Sequence, residues 1–168
     1  MGSEDLSGFL AKTSFFGGLT PEVVSTVASM LKEKRISAGE MLFAEGDDGR
    51  SMYIVRDGAL IMQRHCSGGS QARLLMMRPG DFFGVTTLIE MERRPFSCTA
   101  EKDSLLYELT HLDLYKLYQR DLKTYLLLYQ NIARELCRRL RKAGDRIAAL
   151  EDALHTATGK GHGEPHGR

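Results

Sequence analysis

The chain has 168 residues, a net charge of +1 and 42% hydrophobic residues, which is typical of a globular domain with a sizeable core. The near-zero net charge does not indicate a nucleic-acid or acidic-membrane partner, and no apolar run is long enough to predict a membrane span or a signal peptide. Three widely spaced cysteines indicate free thiols in a reducing compartment, so we expect a cytoplasmic protein with no metal site.

Residues 5–34 have a helical pattern. Residues 1–8, which overlap its beginning, are expected to be a flexible N-terminus. Thr20 is predicted to cap a second helix whose first position is Pro21. Apolar residues at helical spacing predict that this helix continues to about Leu31. We interpret these helices as packing elements.

From Ile36 the pattern changes to short apolar runs separated by turns. The predicted strands are 41–43, 52–55, 59–64, 72–77, 97–100 and 105–109. Asp57-Gly58 predicts a two-residue hairpin between two of them. The acidic turn at 45–49 lacks the ligand spacing of a calcium loop, so we interpret it as solvated. Many short strands at regular spacing predict a sandwich or a jelly-roll barrel.

The segment 79–100 has the features of a small phosphate pocket. Pro79-Gly80-Asp81 predicts a turn, and Gly84 permits positive φ or a close backbone approach. A helical turn at 86–89 would present unpaired N–H groups, and the guanidinium of Arg94 is suited to bidentate binding of a phosphate.

This segment resembles the phosphate-binding cassette of cyclic-nucleotide-binding domains of the catabolite activator protein and protein kinase A regulatory subunit type. The residues that match the pattern Pro-Gly-Asp-x-Phe-Gly-Glu and its following Arg are Gly80, Asp81, Phe83, Gly84, Leu88, Arg94 and Ala100. The runs 38–43, 45–47 and 52–58 also match, so the resemblance extends over about 9–150. It implies an α+β fold: a β-roll (jelly-roll barrel) with N-terminal helices, a short cassette helix and a long C-terminal helix.

The resemblance also implies a ligand site for a cyclic nucleotide or a related small phosphate ligand, with no cofactor. The implied ligand-binding residues are Phe83, Gly84, Val85, Thr86, Thr87, Arg94, Pro95, Phe96 and Ser97, with Arg139 and Leu140 at base-contact positions of the long helix.

Two of these positions depart from the family pattern. Val85 stands where the family has a Glu that accepts from the ribose 2′-hydroxyl, and Pro95 has no N–H for the cyclic phosphate. Because each hydrogen bond contributes roughly 0.5–1.5 kcal/mol, and more with a charge, losing both would weaken binding about tenfold to a thousandfold.

The last third of the chain is predicted to be helical. Thr110 is a candidate cap for a short helix, and a long helix follows at about 122–154, weakened by Gly144. Its apolar seam comprises Tyr129, Ile132 or Ala133, Leu136, Leu140, Ala143, Ile147, Leu150 and Leu154. We expect the first turns to cover the barrel and the part beyond Leu136 to form a homodimer, the seam that the resemblance implies. The basic face of this helix is interpreted as solvated, with contact to nucleic acid or another acidic partner as the alternative.

The predicted organisation is a flexible 1–8, a ligand-binding domain at 9–120, a dimerisation helix at 121–155 and a disordered tail at 156–168. His162 and His166 in the tail have no fixed geometry for a metal. A helix-turn-helix domain follows the long helix in bacterial transcription factors of the family. The tail is too short for one, so we expect no direct DNA binding. We also expect no membrane partner, because no apolar run is long enough for a membrane span.

Three functional interpretations differ in how well the sequence supports them. In the first, the domain senses a cyclic nucleotide and signals through its C-terminal helix to an unknown effector protein. In the second, it is a degenerate member that binds no nucleotide and acts as a dimeric scaffold. An enzyme has almost no support, because no catalytic motif is present. We prefer the sensor; Arg94→Ala would abolish a ligand effect only if the sensor interpretation is right.

Overall fold

A computed structural model describes residues 3–157 and 159. The chain forms two compact units, Met1–Ile132 and Ala133–Arg168. Within the described residues, no helix has the length and apolar character that crossing a membrane requires. The three cysteines are free thiols as predicted, with Cys98 buried and the other two exposed.

The first unit begins with helix α1 (Ser3–Leu10), a 3-10 turn (Ser14–Phe16) and helix α2 (Pro21–Ala28). Pro21 occupies the first turn of α2, as predicted. Phe15 is fully buried, and its ring centroid lies 5.2 Å from that of Phe82 in the strand before the cassette. The N-terminal aromatic residues therefore contact the strand region directly.

Thr20 occupies the N-cap of α2, as predicted, although its side chain makes no cap hydrogen bond. Two other expectations for this region were wrong. A helix includes residues 3–8, which were expected to be flexible. Helix α2 ends at Ala28, and Lys32–Ile36 is a strand, although the helical pattern was extended to residue 34. The reason is a long-range one: Lys32 pairs with Glu108, so a ladder formed with a distant segment overrides the local periodicity.

In the part of the chain that the structure describes, eight strands form two antiparallel four-stranded sheets. They are β1 (Lys32–Ile36), β2 (Met41–Phe43), β3 (Ser51–Asp57), β4 (Leu60–His65), β5 (Gln71–Met77), β6 (Phe82–Phe83), β7 (Ser97–Ala100) and β8 (Ser104–Thr110). The sheet orders are β1-β8-β3-β6 and β2-β7-β4-β5. Inward residues of both sheets, including Val55, Leu60, Cys98 and Leu106, form one apolar core. The predicted α+β β-roll is confirmed.

The predicted Asp57-Gly58 hairpin is wrong in its pairing. Strand β3 pairs with β8 and β6, whereas β4 pairs with β7 and β5, so the turn carries the chain from one sheet to the other. Gly58 has φ +91°, and its N–H donates to Asp57 Oδ1 at 2.8 Å. The local signal therefore predicted the tight turn correctly, but turn chemistry does not decide which strands pair.

Helix α4 (His111–Arg120) begins at a capping box. The Thr110 hydroxyl accepts from the Asp113 N–H at 3.2 Å, and the Asp113 carboxylate accepts from the Thr110 N–H at 3.2 Å, so the predicted cap is confirmed. Helix α5 (Leu122–Ala157) follows, and Leu128 and Ile132 of its first turns are buried. As predicted, the first turns of the long helix pack within the first unit.

The second unit is the remainder of α5. The helix is continuous through Gly144, which therefore does not interrupt it. Leu140, Ile147, Leu150 and Leu154 are all more than half exposed and recur at spacings of seven, three and four residues. Residues 156 and 157, assigned to the disordered tail by the sequence, are helical, whereas His162 and His166 lie outside the described residues.

Candidate functional site

The cassette joins strand β6 to a short helix, α3 (Val85–Glu90). Gly84 is the N-cap of α3. Its φ of +81° agrees with the prediction that this glycine permits positive φ. The predicted helical turn at 86–89 is one residue longer at each end. Met91 closes the helix with φ +56°, which is unusual for a residue other than glycine. Both ends of α3 are therefore sharp turns.

Arg94 lies beneath the cassette with only 4% of its surface exposed. Its Nη1 donates to Thr87 Oγ1 at 3.1 Å and, at a longer 3.4 Å, to the Gly84 carbonyl. Its Nη2 donates to the Ser51 carbonyl at 2.8 Å. The guanidinium therefore connects the cassette to the beginning of strand β3.

Aromatic rings pack around this guanidinium. Its Cζ lies 4.2 Å from the ring centroid of Phe43 and 5.9 Å from that of Tyr53, within the range of cation–π attraction. Phe83 packs against both rings, with centroid distances of 6.3 and 5.5 Å. The cation is thus held against the aromatic part of the core.

The charge of Arg94 is not balanced by an ion pair. Among the residues that the structure describes, no carboxylate lies within 4 Å of the guanidinium, and Nε is buried without a hydrogen-bond partner. Burial lowers the pKa of Arg94, and the surrounding groups, Tyr53 first and then Cys98, Glu108 and Asp47, oppose that shift without cancelling it. An arginine remains charged at neutral pH even so. The site thus contains a desolvated cation with an unused donor.

Two neighbouring titratable groups are neutral at physiological pH. Burial, followed by the charge of Glu108, raises the pKa of Tyr53 to about 12. Burial also raises the pKa of the Cys98 thiol to about 12, with Arg94 acting in the opposite direction. Neither group supplies a negative charge to Arg94.

The other predicted cassette residues differ in their surroundings. Val85 and Thr87 are buried, Thr86 is half-buried, and Pro95 is exposed. Thr87 accepts from Arg94 and donates to the Gly84 carbonyl at 2.9 Å. The structure therefore brings Gly84, Thr87 and Arg94 together directly.

Four further predicted site residues either make their contacts away from Arg94 or have no contact that defines a role. The Ser97 hydroxyl accepts from the Glu45 N–H at 2.9 Å, and Phe96 is half-buried. In the second unit, Arg139 Nε donates to Glu135 Oε1 at 2.8 Å, and Leu140 is 75% exposed. The ligand roles of these residues stay predictions.

The cyclic nucleotide-binding domain model matches residues 33–121, which include all eight strands except the first residue of β1, the whole cassette and Arg94. The chain belongs to the cyclic nucleotide-binding domain family. The predicted family is thereby confirmed.

The sequences and structures of individual relatives agree with this family assignment. The chain is 33% identical over 128 residues to the cyclic AMP receptor protein of Thermus thermophilus, covering 76% of this chain and 57% of that protein. The crystal structure of the Thermus thermophilus catabolite activator protein has a TM-score of 0.73 at 31% identity, covering 83% of this chain and 63% of that one. A cyclic nucleotide-binding domain from Methylobacillus flagellatus has a TM-score of 0.79 over 98% of this chain and 86% of that one; at 21% identity it supports the fold alone. The chain thus spans less than two thirds of the Thermus protein.

Sequence reasoning missed three contributors to the family site in this chain. Ser51 provides a backbone carbonyl, which no side-chain motif would reveal. Phe43 and Tyr53 lie in runs that match the family pattern, but nothing in the sequence indicated that their rings face Arg94. Their alternation within strands β2 and β3 could have placed them on the inner faces.

Two cavities adjoin the cassette helix. One, of about 410 Å³, is lined by polar and charged residues that include Arg50, Thr87, Arg93 and His111. The other, of about 330 Å³, is mainly apolar and is lined by residues of α3, α4 and the beginning of α5. Tyr115, Tyr118, Tyr125 and Tyr129 form a continuous series of ring contacts along it. Residues of helix α3 therefore line both cavities.

Proposed function

We propose that this domain is a regulatory module that senses a cyclic nucleotide, binds its phosphate through Arg94 and signals through helix α5. The observation that carries the proposal is the buried, uncompensated guanidinium of Arg94 at the cassette. Membership of the cyclic nucleotide-binding domain family indicates the class of ligand, and Arg94 is the residue that we expect to bind the ligand's phosphate.

The physical reason for expecting an anion is the cost of burying a charge. Neutral carbonyl and hydroxyl oxygens accept three hydrogen bonds from Arg94, but they bring no opposite charge. A phosphate would supply both the charge and an acceptor for Nε, and charge-assisted hydrogen bonds are about twice as strong as neutral ones. Helix α3 has only six residues, so we assign the principal phosphate contact to Arg94 rather than to the helix end.

The chemistry of the cassette limits how the rest of the nucleotide is held. Val85 is 1% exposed and offers no acceptor for a sugar hydroxyl, and Pro95 offers no N–H. We therefore infer that the phosphate contact provides most of the specificity. A ligand that depends less on its sugar hydroxyl, or a larger nucleotide, would suit this site.

Isothermal titration calorimetry with cyclic AMP, cyclic GMP and cyclic di-GMP tests the proposal. We expect micromolar or tighter binding of at least one of them to the wild-type protein. Arg94→Ala is expected to weaken that binding about 30-fold or more, because loss of one partner of a buried charged pair costs roughly 2–5 kcal/mol.

Arg93→Ala is the matched control for this experiment. Arg93 is adjacent but exposed, and its Nη1 donates to the Gly46 carbonyl at 2.8 Å. We expect its removal to change the affinity less than about threefold. Absence of binding by folded wild-type protein, or equal losses in the two variants, would contradict the assignment of Arg94.

A second candidate function is a scaffold that binds no nucleotide. The observation that favours it is that both Nη groups of Arg94 are already bonded to protein oxygens, which an arginine with a purely structural role would also show. Val85 and Pro95 point the same way. If titration of the well-folded protein with these nucleotides gives no heat of binding, the scaffold function is favoured.

We further propose that the exposed stripe of α5 makes a homodimer and that an unidentified effector protein reads the signal. Leu140, Ile147, Leu150 and Leu154 are 56–75% exposed at heptad-like spacing, and burying such a stripe against a second copy would remove its apolar surface from water.

Sedimentation velocity tests the dimer. We expect the wild-type protein to sediment as a dimer, and Ile147→Lys with Leu150→Lys to sediment as a monomer at the same concentration. Ala149→Lys is the control, because residue 149 lies on the opposite side of the helix. A monomeric wild type, or a dimer unaffected by the double substitution, would overturn this part of the proposal.

A further inference from the structure

Thr87 is a polar residue of the cassette helix whose hydroxyl lies beside Arg94 rather than in solvent. It is 2% exposed, and its Oγ1 lies 3.1 Å from Arg94 Nη1. We propose that Thr87 is a positioning residue for Arg94: its hydroxyl holds Nη1 so that the Nε side of the guanidinium is presented to the ligand. This inference rests on the proposed function and concerns the same site.

The donors of Arg94 can be accounted for one by one. A guanidinium has five N–H donors in a planar fork. Nη1 is directed to Thr87 and Gly84, and Nη2 to Ser51. Nε has no acceptor among the described residues. These bonds use three of the five donors. The Nε–H and the second N–H of Nη2 remain, and Nε is the one nitrogen with no acceptor among the described residues.

The hydroxyl of Thr87 is fixed in the orientation that this role requires. A hydroxyl has one proton, and the Thr87 proton is donated to the Gly84 carbonyl at 2.9 Å, so its lone pairs are left to accept from Arg94. The resulting series from Arg94 through Thr87 to Gly84 is directional, and such series strengthen each member.

Close packing prevents the Thr87 side chain from turning away. A Cβ placed on Gly49 would lie 2.5 Å from the Thr87 Cβ and 2.6 Å from Oγ1, so Gly49 is in direct contact with this side chain. Valine has nearly the shape of threonine without the hydroxyl. Thr87→Val therefore removes the acceptor while keeping the contact with Gly49.

Calorimetry with whichever of cyclic AMP, cyclic GMP or cyclic di-GMP binds the wild type best gives the first test. We expect Thr87→Val to weaken binding roughly three- to tenfold, the equivalent of one hydrogen bond. Thr87→Ser, which restores the hydroxyl, should bind within about twofold of the wild type. Unchanged or tighter binding by Thr87→Val would overturn the inference while leaving the proposed function intact.

NMR of the Arg94 guanidinium gives a second test that needs no ligand. In the wild type we expect separate Nη1 and Nη2 signals, because bonding on both sides hinders rotation about Cζ–Nη. In Thr87→Val these signals should broaden or merge, and Thr87→Ser should restore them. Unchanged signals in Thr87→Val would overturn the positioning role even if no nucleotide bound, and that absence of binding would separately contradict the proposed function.

Discussion

Replacing Gly84 by alanine is expected to lower the free energy of unfolding by about 3 kcal/mol. Two independent effects add at this position. The backbone has φ +81°, which an L-residue with a Cβ adopts only with strain. The added Cβ would also lie 2.7 Å from Arg94 Nη1 and 3.0 Å from the Ser51 carbonyl oxygen, so the buried guanidinium or the strand would have to move. Urea denaturation of the two proteins measures the loss.

Gly80→Ala separates the two effects. Gly80 also has positive φ, at +91°, but a Cβ there would meet nothing within 4 Å. Backbone strain alone predicts a loss of about 1–2 kcal/mol. Equal losses at the two glycines would mean that the close approach of Arg94 to the cassette backbone does not contribute.

Replacing Phe83 by alanine is expected to lower the free energy of unfolding by about 3–5 kcal/mol. Phe83 is 1% exposed and packs against Phe43 and Tyr53, the rings that face Arg94. Its removal would leave a cavity beside the rings of Phe43 and Tyr53. Because a domain of this kind is stable by only about 5–15 kcal/mol, thermal unfolding should shift downward by many degrees.

The control for this substitution is Phe96→Ala. Phe96 is also a predicted site residue, but it is only partly buried, so we expect a loss of about 1 kcal/mol. Similar losses in the two variants would show that the aromatic cluster has no special part in the core.

The two predictions have one structural cause. The residues that hold Arg94 are also core and backbone residues, because Phe43, Tyr53 and Phe83 belong to or pack on the buried cluster between the sheets. Substitutions there would change stability and ligand binding together. Thr87→Val and Arg94→Ala therefore need a stability measurement beside each binding measurement, so that loss of the site is distinguished from loss of the fold.

Features that depend only on neighbouring residues were predictable from the sequence. Gly84 at positive φ, the helix cap at Thr110 and the long helix from about Leu122 were predicted correctly, because each follows from local backbone preferences and spacing. The cassette and Arg94 were also identified from the sequence, since their order and spacing are specific.

Which distant segments meet depends on the folded core as a whole. Asp57-Gly58 specified a turn, yet its two strands joined different sheets, and residues 32–36 became a strand because β8 was available to pair with them. The surroundings of Arg94 are of the same kind: Ser51 lies 43 positions earlier in the chain. Local sequence fixes backbone conformation within a few residues, whereas pairing and burial depend on the whole core, which brings a cation, its acceptors and its aromatic neighbours together only when the chain has folded.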